Sequence, residues 1–269
     1  MKIKKTLGVL ITLLLGATAL PVFAADALTG REIMERVEAR DEGDRKVSDM
    51  TMTLIDKRGK RRIRTIRSYS MNRGTDELSA MFFLSPADVK NSAFLTYDYD
   101  ENDRDDDQWL YLPALRKSKR IAASDKSGSF MGSDFNYSDM TDRDLDAYNY
   151  KVLKEMKVGT QMTWVIESIP RSQEEIDETG YKKSLIFVRQ DNYMPIRGIR
   201  WVDKGGEIKY LDIPEIKQID GIWVALKMTM TTKKGKSTLH RTEMTFANIH
   251  FNQDIDESMF TVRRIEKGI

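Results

Sequence analysis

The stretch Ser48-Asp49-Met50-Thr51-Met52-Thr53-Leu54-Ile55-Asp56-Lys57-Arg58-Gly59-Lys60-Arg61-Arg62-Ile63-Arg64-Thr65 decides the fold. Met50, Met52 and Leu54 alternate with Asp49, Thr51 and Thr53, the period of two expected of a strand with one apolar face. The polar run from Asp56 to Lys60, with a glycine at 59, ends that strand. Arg62 and Arg64 then alternate with Ile63 and Thr65 on the return, so the segment is a β-hairpin.

Working outward, the same period recurs with turn signals at short intervals, at Asn72-Arg73-Gly74, Val158-Gly159-Thr160, Asp191-Asn192, Lys204-Gly205-Gly206 and Lys234-Gly235-Lys236. Between them strands are expected over Leu78 to Leu84, Ala93 to Tyr99, Gln108 to Leu112, Tyr150 to Met156, Gln161 to Ile169 and Lys183 to Arg189. Further strands are expected over Ile196 to Val202, Glu207 to Ile213, Ile222 to Thr232 and Ser237 to Ala247. Roughly eleven to thirteen antiparallel strands joined as hairpins form a meander that must close or be covered to hide its edges. No Pro/Ser-rich linker divides the array, so residues 25–269 read as one domain.

Upstream of the hairpin, Thr29 followed by Glu32 forms a capping box, and Leu28 is placed to staple onto Ile33. Ile33, Met34 and Val37 share one stripe, so a helix from Gly30 to Arg40 should lie on something apolar. Before it, Lys2, Lys4 and Lys5 precede a short apolar run from Leu7 to Leu20, and Pro21-Val22-Phe23-Ala24 supplies a cleavage-site pattern. The run is too short to span a bilayer as a helix. A signal peptide cut after Ala24 is the expectation, which places the mature protein in the periplasm.

The chain has 44 basic and 42 acidic residues, and the leader carries three of the lysines. A mature charge of about −1 gives no reason to bind nucleic acid. With no cysteine, thiolate metal sites, disulfides and Cys catalysis are excluded. His240 and His250 are the only histidines, and there is neither a His-Glu-x-x-His nor a Gly-x-Ser-x-Gly segment. No catalytic constellation, metal site or cofactor is expected.

Two stretches interrupt the meander. Asp98 to Asp107 holds seven carboxylates in ten residues. Counted from Asp98, the sixth and twelfth positions of an EF-hand loop fall on Asp103 and Trp109. Neither residue serves, and a solvated hairpin loop is the better expectation. Ala122 to Asp146 mixes flexible residues with Phe130, Met131 and Phe135, and reads either as a surface loop tucked onto the sheet or as a lid over an apolar cavity. The methionines Met50, Met52, Met228 and Met230, and the pair Met244 and Phe246, fall on common strand faces. Unbranched Met suits both an irregular core and a surface that accepts variable apolar partners.

The segments Gln108-Trp109-Leu110-Tyr111-Leu112-Pro113-Ala114-Leu115-Arg116-Lys117, Arg120-Ile121, Lys126-Ser127-Gly128-Ser129-Phe130-Met131-Gly132-Ser133-Asp134-Phe135 and Tyr193-Met194-Pro195 resemble those of the periplasmic LolA-like proteins, the outer membrane lipoprotein-sorting proteins. The resemblance spans Ala27 to Lys267. It implies a mainly β fold: a strongly curved antiparallel sheet, an open, unclosed barrel of about 11 strands, with a few helices covering its concave face as in LolA and LolB. It also implies a hydrophobic cavity that shelters acyl chains in transit between inner and outer membrane and, in this branch, coupling to an inner-membrane exporter of the resistance-nodulation-division type.

On that basis the candidate cavity residues are Met50, Met52, Leu54, Met81, Phe83, Trp109, Tyr111, Met228, Met230, Met244 and Phe246. Phe130, Met131 and Phe135 would form the lid, and Arg116, Lys117, Lys119 and Arg120 would meet a headgroup or partner, unless they merely balance Asp100 to Asp107. The expected partners are lipoprotein or lipid acyl chains, an inner-membrane exporter and an outer-membrane acceptor, with transient membrane contact and a monomeric protein. Transfer would need no chemistry, since each buried methylene contributes about 0.8 kcal/mol. A sensor or adaptor subunit of an envelope transport complex, or an enzyme of envelope lipids or glycans, are the alternatives.

Overall fold

The computed structural model describes residues 27–100 and 104–269; the leader and its cleavage site lie outside them. One helix, α1 (Gly30–Glu38), precedes six strands: β1 (Arg45–Asp56), β2 (Arg61–Arg73), β3 (Asp76–Ser85), β4 (Ala93–Asp98), β5 (Asp107–Leu112) and β6 (Lys117–Arg120). A long connection follows, and the chain resumes as β7 (Tyr148–Val158), β8 (Gln161–Pro170), α2 (Gln173–Thr179), β9 (Tyr181–Arg189) and β10 (Pro195–Val202). The last elements are β11 (Glu207–Ile219), β12 (Ile222–Lys234), β13 (Ser237–Phe251) and α3 (Val262–Lys267).

All 13 strands form one sheet in the order β6-β5-β4-β3-β2-β1-β13-β12-β11-β10-β9-β8-β7. Every neighbour is antiparallel, and every pair is a sequential hairpin partner except β1 and β13, which join the two halves. The sheet is not closed: β6 and β7 are its free edges. Register shifts between Val47 and Asp49, Val152 and Lys154, and Asp212 and Glu215 are bulges, each of which bends and twists its strand. The expected mainly β, open antiparallel fold is what forms. The additional strand is β6, whose Lys-Ser-Lys-Arg sequence carries no apolar alternation to announce it.

The capping box at α1 is made as its sequence requires: Thr29 N donates to Glu32 Oε2 at 2.7 Å and Glu32 N to Thr29 Oγ1 at 3.2 Å. Ile33, Met34, Leu28 and Val37 pack on Ile166, Val188 and Leu145, so the helix covers the β7–β9 end of the concave face. It ends at Glu38, two residues before the expected Arg40. The short α2 and α3, with one and a half to two turns each, have too few residues to show a helical period.

Both sheet faces carry apolar clusters. Met50, Met52, Leu54, Ile66, Phe83 and Phe94 belong to the concave core. Phe82, Leu95 and Ala93, at alternate positions, face the other way and are covered by Phe260 and Ile265 around α3. The Tyr97 hydroxyl donates to the Phe260 carbonyl at 2.5 Å. The helices therefore do not all sit on the concave side. Covering the second face of β3–β5 falls to the C-terminal segment, because those strands are apolar on both faces.

Candidate functional site: the sheet, its plug and the space between

The connection from Ile121 to Ala147 lies inside the curve of the sheet. Phe130 and Phe135 are buried in the concave core, with the Phe130 ring 5.0 Å from Phe94, 5.7 Å from Tyr137 and 6.4 Å from Phe83. Met131 is half-buried beside them and takes a left-handed backbone, φ 51°, which turns its carbonyl to accept from Arg64 Nη1 at 2.6 Å. Phe130, Met131 and Phe135 thus form a plug seated in the core. Of the two readings of this connection, a loop tucked onto the sheet or a lid, the burial favours the first, because the Phe130 ring meets Phe83, Phe94 and Tyr137 in tilted and edge-on contacts that opening would forfeit.

Buried polar contacts fix the plug to both halves of the sheet. The Asp134 carboxylate accepts from Thr232 Oγ1 at 2.5 Å and Thr242 Oγ1 at 2.7 Å, and meets His240 Nδ1 at 2.7 Å. Asp139 is paired with Arg200, accepts from the Tyr181 hydroxyl at 2.8 Å, and lies 3.7 Å from Arg143. Burial alone would raise the Asp139 carboxyl, but Arg200, Arg143 and Lys209 together hold it below the usual carboxylate range. Lys209 Nζ donates to Asn136 Oδ1 at 2.7 Å, and burial pushes that amine down. Lys126, itself buried, pairs with Glu178 at 2.5 Å. On β5, Gln108 Nε2 donates to the Tyr137 carbonyl at 3.0 Å.

Two spaces remain beside the plug. A cavity of about 580 Å3 lies between the sheet, α1 and Ser138–Leu145, with Met34, Met140, Ile186, Leu211, Trp223 and Phe246 among its apolar walls. Ser48, Ser68, Ser168 and Ser184 add hydroxyls to its floor. A neighbouring cavity of about 630 Å3 is acidic, lined by Glu77, Asp98, Asp106 and Asp142 together with Arg40, Lys126 and Arg143. Arg143 borders both.

In the acidic space Asp98 Oδ2 accepts from the Asp142 amide at 2.7 Å, and Tyr99 N donates to Asp106 Oδ1 at 3.1 Å. Burial, reinforced by Asp106 and Asp142, pushes the Asp98 carboxyl up to about 8. Burial likewise raises Asp106, Asp142 and Glu77. Asp98 and Asp106 therefore depart from the expected solvated loop, being drawn under Asp142 and Tyr99. Among the described residues no group of carboxylates and histidines is placed to hold a metal ion.

The predicted cavity residues divide three ways. Met81, Met228 and Phe246 line the cavity. Met50, Met52, Leu54, Phe83, Met230 and Met244 point to the same side but are buried under the plug, where the core is filled. Trp109 and Tyr111 project from the opposite face and pack with the α3 cluster, because Leu110 between them takes the concave position opposite Phe94. Of the four cations, Lys119 pairs with Asp125 at 3.1 Å and Arg120 Nε with Asp107 at 2.6 Å. Arg116 and Lys117 sit exposed at the β5–β6 turn beside the exposed Leu115. His240 and His250, separated by ten residues of β13, face β1 at Asp56 and Val47 and do not converge.

Asp134, Asp139, Arg143, Arg200 and Lys209 were not expected from sequence. For the strand cations the signal was present: Arg200 continues the face of Ile196 and Gly198, and Lys209 that of Leu211. A cation on an apolar face requires a buried partner. The loop residues carry no period and gave none.

A family model described as an uncharacterized protein matches residues 75–267. No curated protein matches in sequence. Among solved structures, an outer membrane lipoprotein-sorting protein domain from Vibrio parahaemolyticus is 32% identical, covers 88% of this chain and 98% of its own, and superposes with a TM-score of 0.79. A DUF1329 family protein from Desulfovibrio piger is 27% identical, with 88% and 97% covered and a TM-score of 0.79. A LolA superfamily protein from Nitrosomonas europaea shares the fold at 16% identity, with 88% and 99% covered and a TM-score of 0.66. By its identity to the Vibrio domain over nearly the whole fold, and by the open sheet with its internal plug, the chain belongs to the LolA-like family.

Proposed function

We propose that this protein is a periplasmic carrier that shelters the acyl part of a lipid or lipoprotein while it moves between the inner and outer membranes. The observation that carries this proposal is the cavity of about 580 Å3 between the concave sheet, α1 and the plug. That volume lies in the range typical of small-molecule sites, roughly 300–1,000 Å3. Its walls contain five methionines, Met34, Met81, Met140, Met194 and Met228, whose side chains adapt to a flexible chain. The name of the Vibrio relative, a lipoprotein-sorting domain, supports the same activity.

Binding and release without covalent chemistry suffice for this role. Each methylene transferred from water contributes about 0.8 kcal/mol, so one long acyl chain supplies ample affinity. Because the plug is latched at Asp134 and Asp139, entry is assigned to the side bounded by α1 and Ser138–Leu145, away from Phe130. Leu115, exposed at the β5–β6 tip with Arg116 and Lys117, is the assigned point of transient membrane or partner contact. Coupling to an inner-membrane exporter, action as a monomer, and the signal peptide with its cut after Ala24 belong to the same proposal.

The test is lipid extraction and mass spectrometry of the protein purified from its native envelope. A stoichiometric amphiphile is expected. Repeatedly empty protein, under conditions where an established lipid carrier retains its cargo, overturns the proposal.

A further inference from the structure

The cavity floor holds hydroxyls where a purely acyl site would hold methylenes. Ser48 on β1 stands opposite Ser68 on β2, and Ser168 on β8 opposite Ser184 on β9, so two serine pairs flank the apolar middle from opposite halves of the sheet. Ser48 is 5% exposed and Ser184 3%, yet among the described residues neither hydroxyl has a protein partner. Neither is sealed from solvent-sized contact either, since both border the cavity and are absent from the fully buried unpaired atoms. A buried hydroxyl with no protein partner is satisfied by whatever fills the space.

The charges around the same cavity cancel. Five cationic and five carboxylate side chains border it. Three guanidiniums are already committed, Arg40 to Glu42, Arg200 to Asp139 and Arg197 to Asp212 at 2.7 Å, while Arg143 Nη2 lies 3.7 Å from Asp139, fully buried and, among the described residues, without a hydrogen bond of its own. Lys46 lies in the field of Glu77. A phosphate or carboxylate entering here would have to displace a resident carboxylate and would sit against Asp142 and Glu77.

We infer that the ligand of this cavity is an uncharged amphiphile whose ester or hydroxyl oxygens meet Ser48, Ser68 and the Ser168–Ser184 pair, with its hydrocarbon along Leu211 and Phe246. This inference rests on the carrier proposal and sharpens its cargo to a class: a neutral, oxygen-bearing lipid instead of a fatty acid or phospholipid. Hydroxyls supply specificity for the polar segment, and the methionine walls leave chain length loosely defined.

The experiment compares delipidated protein with ligands of one chain length: monopalmitoylglycerol, palmitate, palmitoyl-lysophosphatidylglycerol and hexadecane, by competition in native mass spectrometry and by calorimetry. Monopalmitoylglycerol is expected to bind at least about tenfold more tightly than either anion. Ser48→Ala and Ser184→Ala, which remove hydroxyls without protein partners and so leave thermal stability unchanged, should each narrow its lead over hexadecane by roughly threefold to tenfold. An anion binding as tightly as the monoglyceride, or hexadecane matching it in the wild-type protein, overturns the inference while leaving the carrier proposal standing. Failure of all of these ligands to bind refutes the carrier proposal itself.

Discussion

Replacing Phe130 by alanine separates a seated plug from a mobile cover. Phe130 is fully buried, and its ring meets Phe94 and Phe83 on the sheet and Tyr137 within the connection, at 5.0, 6.4 and 5.7 Å. Truncation removes the transfer energy of the ring and leaves a void, because Phe83 and Phe94 are fixed by strands β3 and β4 and cannot follow it inward. Large-to-small changes of this kind cost about 3–5 kcal/mol. At about 2–4 °C per kcal/mol for a chain of this size, a loss of about 4 kcal/mol lowers the melting temperature by about 8–16 °C. Urea unfolding followed by circular dichroism gives the free energy, and Leu115→Ala at the exposed tip is the control, expected within about 0.5 kcal/mol of wild type. A loss below about 1 kcal/mol for Phe130→Ala would refute the reasoning. It would mean that the segment leaves the core freely, as a lid does.

Three further outcomes follow from the site. Asp139→Asn strands Arg200 and Arg143 without their carboxylate and should destabilise by about 3–5 kcal/mol. Because the Asp139 carboxyl is held low in the folded state, its contribution is present above the ordinary carboxylate range and lost as pH falls through its folded value. The variant should therefore show a flatter acid limb in urea titrations between pH 5 and 2. Asp98 acts with the opposite sign: its carboxyl is raised to about 8, so the folded state loses stability as pH climbs from the unfolded value toward 8. Asp98→Asn, which retains an oxygen for the Asp142 amide, should raise stability by about 1–2 kcal/mol at pH 8 and leave it nearly unchanged at pH 4, as chemical unfolding at the two pH values will read. Gly198 lies on the cavity floor with Leu211 Cβ 3.5 Å from where a Cβ would stand, an ordinary contact, so Gly198→Ala adds a methyl without clash and takes ligand space. Bound lipid per protein should fall severalfold with the melting temperature unchanged; undiminished lipid would mean that the ligand lies elsewhere.

Much of the architecture is legible along the chain because its causes are local. The alternation of Met50, Met52 and Leu54, the turn at Asp56–Lys60 and the capping box at Thr29 each need only a few neighbouring residues, and each formed where the sequence placed it. Strand β6 and helices α2 and α3 were not legible, being too short or too polar to show a period. At the cavity, Met81, Met228 and Phe246 border the space expected of them, whereas their neighbours Met230 and Met244 are sealed beneath the plug. Sequence spacing assigns a side chain to a face but not to a filled or empty part of that face.

By itself the sequence determined every strand but β6, their hairpin order, the first helix and the family likeness, because period, turn chemistry and caps are short-range properties. Only the tertiary structure decided which face is concave. Strands β3–β5 are apolar on both sides, and choosing between them depends on what comes to cover each: the plug at Phe130 on one, Phe260 and Ile265 on the other. It also decided that the connection is latched, through Asp139 to Arg200, 61 residues apart, and Asp134 to Thr242, 108 apart. Partners so distant leave no local pattern, since what joins them is the closing of the sheet around the plug and the cost of burying a charge without a partner.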